Sequence, residues 1–565
     1  MAGAVYTADF ETCDNRAATG GNPTFARVWL WALCDISSKS VETGNCIDTF
    51  MARVQREGCT IWFHNLAYDG SYIVDWLLRH GYAYTNNDML PPSTFKAVIS
   101  AKGKWYQLVI VSECGIRVTI NDSLKKYPFS IRAMGEQFGF PEQKGVIDYT
   151  SWRGEDYRAT ALELEYIAND VLIDARAMEQ AYNEGADKLT IGSDCMAAFK
   201  EDIGKRQFNM LFPSLNPIQD GQMRKAYRGG YCYVNPELKG VDVYGGISVD
   251  FNSMYPSMML EKPFPVGRPR YFTSRYTEDA RMPLYIQALT VMFHVKQNGF
   301  PMLQVHNSGY FGAHEYVEKT DVPVSLWLSS VDLQLFLDNY NVDILSWDGG
   351  YKFEAAQGMF DGYMNYWREV KEASTGIVRT RAKLYLNNLY GKFGTNPDAT
   401  LKIPKLPDAG AVRYELGPQE TRPPVYVPVA VFATAWARDT LIRAAMANRE
   451  RFIYCDTDSL HLVGTEPPAA CPLDDVKFGF WKVEGEFSHA RHLRTKAYIW
   501  DLNGKLSVKC AGMPDNIKAD CTFDNFHIGY SNLDENGRIR PGLGKLHPLL
   551  VRGGRTLIDR PYQLR

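Results

Sequence analysis

A chain of 565 residues is too long for one hydrophobic core, so two to four domains are expected. Its 45% hydrophobic and 22% charged residues are ordinary for a soluble globular protein, and no stretch approaches the ~20 apolar residues of a membrane span. A net charge of −3 speaks against a uniformly basic nucleic-acid binder, although carboxylates clustered around metals would lower the net charge without covering a basic groove. The 11 cysteines are odd in number and form no Cys-x-x-Cys pair, which suggests neither a disulfide framework nor a zinc site and fits a reducing compartment. The opening MAGAVYTADF lacks the basic-then-apolar pattern of a signal peptide.

In chain order, residues 4–10 read as a short strand, 25–34 as a very apolar second one, 47–57 as a helix and 60–64 as a third strand. This order suggests an α/β layer. Residues 159–185 form a long amphipathic helix with Gly185 as its stop, so a first domain is placed at 1–190. Residues 200–222 look like a connector. A strand at 247–251 runs into a turn, and 360–393 is helical with a break near Ser374–Gly376. Residues 394–428, rich in Pro and Gly, suggest a hairpin-like insertion, 429–446 a helix, and 451–463 a β-hairpin. The tail from Gly537 carries seven basic residues against Asp559, either a DNA-binding arm or a solvated tail.

Two carboxylate sets carry the chemistry. Asp9 and Glu11 lie two apart in a strand and so share a face, where two like charges are unfavourable unless a cation lies between them. Asp69 follows the next strand in WFHNLAYDG, and Asp170 lies on the long helix one turn after Tyr166. Four acids on three elements can hold two divalent ions for phosphodiester cleavage, with Tyr166 orienting the attacking water. The second set is Asp250, at the end of the strand ISVDF, and Asp456 and Asp458, in YCDTDS at a hairpin tip. The backbone carbonyl of Phe251 could add a ligand, and the ring of Tyr255 would clash with a 2′-OH. On a helix Lys383, Asn387 and Tyr390 fall on one face, and Lys371 and Arg379 extend a basic stripe toward a triphosphate.

The ordered motifs DFE, HNLAYDG and YIAND resemble those of DEDD-type proofreading exonucleases, and the HNLxYDG form is similar to that of protein-primed family B DNA polymerases. The resemblance implies a catalytic Lys144 in KGVIDY, and contacts to a single-stranded primer end from Trp62, His64, Asn65, Tyr68, Ser123 and Leu124. DFNSMYP, the Lys383–Lys392 segment and YCDTDS resemble motifs A, B and C of family B. Tyr227, Gly229 and Gly230 match the YxGG element between the two activities. Thr434 and Arg438 match a template-binding element, and Lys496 and Tyr498 the KxY element at the primer terminus. Arg379 stands where relatives often have Lys, Trp62 where they have Tyr, and Val146 where an acid could stand.

The implied fold is α/β and α+β: an RNase H-like DEDD exonuclease domain (1–190), then a family B palm, fingers and thumb. Palm with motif A is expected at 191–261, fingers at 360–393, palm with motif C at 428–525 and thumb at 526–565. The spans 262–359 and 394–427 match two insertions of the protein-primed branch, one for a terminal protein and one for processivity and strand displacement. The implied partners are primer–template DNA, dNTPs and the terminal protein. Mg²⁺ would fill each site twice, with Mn²⁺ as an alternative. The implied enzyme is a phage replicase in the host cytoplasm, a monomer or a heterodimer with the terminal protein. The competing readings are a nuclease with a degenerate polymerase half, a non-catalytic DNA-binding scaffold and an RNA-templated polymerase.

Overall fold

The computed structural model describes residues 3–149, 151–305, 316–407 and 410–565. The N-terminal part is an eight-stranded sheet. Its strands are β1 (Ala4–Asp14), β2 (Ala26–Asp35), β3 (Val41–Gly44), β4 (Cys59–Phe63), β5 (Ala83–Tyr84), β6 (Thr94–Ile99), β7 (Trp105–Val111) and β8 (Arg117–Asp122), in the order β3-β2-β1-β4-β8-β7-β6-β5. Strand β2 is buried along almost its whole length because both faces are covered, which is why it reads as a continuous apolar run. Ala26, Val28, Trp31 and Leu33 pack with the helices Ile47–Val54 and Asp69–Arg79, whereas Leu30, Ala32 and Cys34 pack under the helix Ala161–Asn183. That helix opens with a Thr160/Glu163 capping box, and Gly185 follows it in the left-handed region at φ 72°.

The topology opens a crevice where the acids lie. Strands β1, β4 and β8 are mutually parallel, and β4 pairs with β1 only as far as Ala8↔Phe63. Strand β1 does not stop at the DFE motif, as the sequence suggests, but runs on to Asp14 paired with β2. Asp9 and Glu11 therefore project beside the C-terminal ends of the parallel strands, where open α/β sheets bind ligands. They share the side of Thr7, whose hydroxyl donates to the Val171 carbonyl at 2.7 Å, so they face the long helix.

Next come β9 (Cys232–Val234) and β10 (Asp242–Phe251). Strands β11 (Phe264–Phe272), β12 (Leu284–Val295), β13 (Val324–Ser329) and β14 (Tyr340–Ala356) then form a separate four-stranded sheet ordered β11-β14-β12-β13. The helices Asp361–Ala373 and Gly376–Phe393 follow, broken where the sequence suggests; Gly376 adopts φ 57°, and a Cβ there would approach the Phe138 carbonyl to 3.1 Å. Strands β15 (Asp398–Lys405) and β16 (Arg413–Thr421) form a hairpin that pairs with the first sheet through Ala101 N–H to the Thr400 carbonyl, 2.9 Å.

Helix Pro428–Ala447 is buried nearly all round and joins the two largest cores. Strands β17 (Phe452–Asp456), β18 (Ser459–Val463), β19 (Trp481–Arg494), β20 (Ala497–Leu502) and β21 (Lys505–Cys510) complete a seven-stranded sheet, β21-β20-β19-β10-β18-β17-β9. The last hairpin, β22 (Lys545–Val551) and β23 (Gly554–Arg560), docks on the first sheet. Gly554 lies so close to Tyr72 that a Cβ would meet its ring at 2.4 Å, and the Tyr72 hydroxyl donates to the Arg555 carbonyl. The basic tail is thus partly structural: Arg552 pairs its backbone with Thr24 and Ala26.

Candidate active sites

In the first crevice, Asp9, Glu11 and Asp170 bring one carboxylate oxygen each within 4.8 Å of the others. Burial, reinforced by the Asp170 charge, pushes the Asp9 carboxyl up to about 7. Glu11 and Asp69 are raised well above the ordinary range by burial and then by the Asp9 charge, and Asp170 is raised by burial against the opposing pull of Lys144. Asp69 opens the helix Asp69–Arg79, and its Oδ1, like that of Asp170, is buried without a hydrogen-bond partner. Crowded hard oxygens with unpaired lone pairs fit a divalent cation set. Lys144 Nζ donates to Asp170 and lies 4.8 Å from the centre of the Tyr166 ring. The Tyr166 hydroxyl meets that of Tyr149 at 2.5 Å. Tyr149 was not singled out from the sequence, although it stands in the same KGVIDY string.

The cavity beside these acids has a volume of about 560 Å³ and is lined by Asp9, His64, Asn65, Leu124, Phe129, Lys144, Asp170 and Asp174. Asn65 adopts φ 68°, held by its N–H to Asp122 Oδ1 at 3.0 Å. His64 Nε2 meets the Phe129 carbonyl at 2.7 Å and Nδ1 meets Ser123 Oγ at 3.0 Å, while Ser123 Oγ lies 2.9 Å from Asp174. Burial raises Asp174 to about 8 and lowers His64. Ser123 Oγ donates to Asp174, and Ser123 together with the Phe129 carbonyl fixes the orientation of the His64 ring. Two expectations are corrected here. Ser123 is fully buried, so it positions His64 rather than meeting a strand. Trp62 is 1% exposed, because its place in β4 points it under the long helix, where Nε1 donates to the Tyr182 hydroxyl at 3.1 Å. It cannot serve as a stacking ring. Tyr68 is half-buried, its hydroxyl 2.8 Å from Thr12 Oγ1.

The second cavity, about 770 Å³, gathers most of the polymerase set: Asp250, Phe251, Tyr255, Lys371, Arg379, Lys383, Asn387, Tyr390 and Asp458, together with Lys482. Register places them. Asp250 lies opposite Ser459 on β18, and Asp456 lies opposite the same Ser459 from β17. The tight turn needs Thr457 at φ 62°, and Phe251 N–H donates to the Asp458 carbonyl at 2.7 Å, tying the two motifs. Burial and the charges of Asp250 and Asp456 push Asp458 up to about 7, which marks a site suited to cations. Ser253, at φ 55°, turns the chain so that Tyr255 enters the helix Met254–Glu261 and stacks on Tyr390, 4.0 Å between centroids. Asp456 is outside this lining and pairs with Lys496 at 2.9 Å; Asp250 pairs with Lys482 at 3.1 Å.

Gly230 packs so tightly that a Cβ would lie 2.8 Å from Thr457 Oγ1, and Tyr227 backs onto Gly394. Thr434 and Arg438 are corrected as direct template contacts, since each is 2% exposed. Thr434 bonds the Ala430 carbonyl at 3.0 Å. Arg438 makes a bidentate pair with Asp332, 3.0 and 2.8 Å, and donates to the carbonyls of Arg228 and Gly229 at 2.8 and 2.7 Å. It braces the YRGG turn from inside. Tyr498 is half-buried among Tyr454, His492 and Trp500. Sequence reasoning missed Asp332, Asp174 and Lys482. Only cross-strand register or tertiary packing brings them to the sites, and no local pattern marks them.

Comparison with known proteins agrees with this geometry. The family model described as DNA polymerase type B, organellar and viral, matches residues 51–163 and 153–474. The DNA polymerase of Bacillus phage Nf is 38% identical over the full length of both chains. The solved structure of phi29 DNA polymerase complexed with primer–template DNA and incoming nucleotide substrates covers both chains completely, with 37% identity and a TM-score of 0.92. The same polymerase complexed with single-stranded DNA gives 37% and 0.91. With an α/β nuclease-type sheet and a family B catalytic sheet in one polypeptide, the chain belongs to the type B DNA polymerases of organelles and viruses and is a DNA-directed DNA polymerase.

Proposed function

We propose that this enzyme is a protein-primed, strand-displacing phage replicase whose two cavities synthesise and proofread the same primer end. The observation that carries the reading is the meeting of Asp250 and Asp458 in one cavity with Lys371, Arg379, Lys383 and the stacked Tyr255–Tyr390 pair. The first cavity would take Mg²⁺, or Mn²⁺ in its place, on Asp9, Glu11, Asp69 and Asp170. The second would use Asp250, the Phe251 carbonyl, Asp456 and Asp458. Two bound ions per site supply a nucleophile at neutral pH and charge neutralisation at the leaving oxygen.

The chain's own residues do the rest. Lys371, Arg379 and Lys383 bind the triphosphate, and Asn387 and Tyr390 pack the sugar and base. Tyr255, pinned by Tyr390, excludes a 2′-hydroxyl. In the other cavity His64, Asn65 and Leu124 hold a frayed primer end, Lys144 anchors Asp170, and Tyr166 orients the attacking water. Lys496 and Tyr498 meet the primer terminus.

The assigned parts are an exonuclease (1–190), palm (191–261 and 428–525), fingers (360–393), thumb (526–565), a terminal-protein insertion (262–359) and a strand-displacement insertion (394–427). The partners are primer–template DNA, dNTPs and a terminal protein, which would form a heterodimer with the monomeric enzyme in the host cytoplasm. Extension of a labelled primer on a single-stranded circle with Mg²⁺ and dNTPs tests the reading. Wild type should yield products longer than one circle, Asp458→Ala none, and Asp9→Ala/Glu11→Ala synthesis without trimming. Trimming alone from wild type would leave only a nuclease.

A further inference from the structure

Two of the three polymerase acids are ion-paired with lysines. Lys496, on Asp456, belongs to the KxY element; Lys482, on Asp250, belongs to none of the motifs. Lys482 stands on β19 directly across from Asp250 in the antiparallel register, so both side chains rise from the same face. It lines the same cavity as Lys371, Arg379 and Lys383. Its side chain is 40% exposed and, among the described residues, Asp250 is its ion-pair partner. Such an exposed pair is weak and exchanges readily. The polymerase acids do not form the close triple that Asp9, Glu11 and Asp170 form, which fits a site whose Asp250 is held by an ammonium.

The geometry points to Lys482 as a fourth triphosphate-binding cation, one that occupies Asp250 in the empty site and transfers to a phosphate oxygen when nucleotide enters. Once Asp250 carries a divalent ion, an ammonium 3.1 Å away is repelled, and the phosphates among the other three cations are the anions within reach. A lysine suits the exchange: its charge is compact, and its stem can swing between two anions. The inference rests on the polymerase assignment above.

The test compares wild type, Lys482→Ala and Lys482→Arg in single-nucleotide insertion, alongside calorimetric titration with inorganic tripolyphosphate in the presence of Mg²⁺. Loss of one charge-assisted contact should raise the dNTP KM of Lys482→Ala about tenfold with kcat changed less than about threefold. Tripolyphosphate binding should weaken several-fold, and Lys482→Arg should recover most of both. Trimming of a single strand reports on folding and should not change. Unaltered KM and tripolyphosphate affinity, or a loss confined to kcat, would overturn the proposal. A fall only in the Mg²⁺ concentration needed for half-maximal rate would make Lys482 a mere placeholder and overturn it too. Failure of wild type to insert a nucleotide would instead refute the polymerase assignment.

Discussion

At Asp174, burial raises the carboxyl to about 8 against the lowering effect of the Ser123 hydroxyl that donates to it, and the same Ser123 contacts His64. Its folded value of about 8 lies above the ordinary 3.8, so the folded state binds the extra proton. The associated stability is complete below 3.8 and is lost as pH rises through 8. Asp174→Asn imitates the protonated acid and removes that loss. The difference in melting temperature, variant minus wild type, should therefore be near zero at pH 4 and grow to a few degrees by pH 8.5. A difference independent of pH would rule out the protonated assignment. The metal-type acids were legible because carboxylates two apart in a strand have so few bland explanations when repeated in order. Asp174 was not: a lone acid on a helix announces nothing until Ser123 and His64 are packed against it.

Secondary elements explain which readings held and which inverted. The long helix was legible from its period and its Gly185 stop, and the YCDTDS hairpin from its alternation. Trp62 was misread because β4 is buried on both faces, so alternation could not say which face met the ligand. Arg438 was misread for a related reason. Helix Pro428–Ala447 is buried on nearly all sides, and a charge in such a helix is inside, paired with Asp332. Its guanidinium joins that helix to the YRGG turn and so to the floor of the polymerase cavity. Arg438→Ala would strand the Asp332 carboxylate, fully buried, and should cost about 3–5 kcal/mol, measured by urea unfolding. A loss below about 1 kcal/mol would show that the pair is dispensable for the fold.

Across the whole molecule, elements far apart in sequence are joined by edges. The β15–β16 hairpin lies against β6, with Tyr414 edge-on to Trp105 at 5.8 Å. Removing residues 398–421 and closing the gap with glycines should leave filling of a short single-stranded gap intact while abolishing products longer than one circle. Both assays run on one preparation, and equal loss in both would assign the hairpin to folding instead. These joins were illegible in the sequence because each is set by the shape of two finished units.

The most consequential join is the C-terminal hairpin. Arg16 grips Asp14 and reaches the Leu557 carbonyl at 2.7 Å, and Thr556 donates to Asp14 as well. Asp14 ends the same strand that presents Asp9 and Glu11. Asp9 and Glu11 therefore sit on a strand whose far end is held by the β22–β23 hairpin. A displacement of the C-terminal hairpin would act on Asp14, three positions along the strand from Glu11 and across the register shift at Glu11/Thr12.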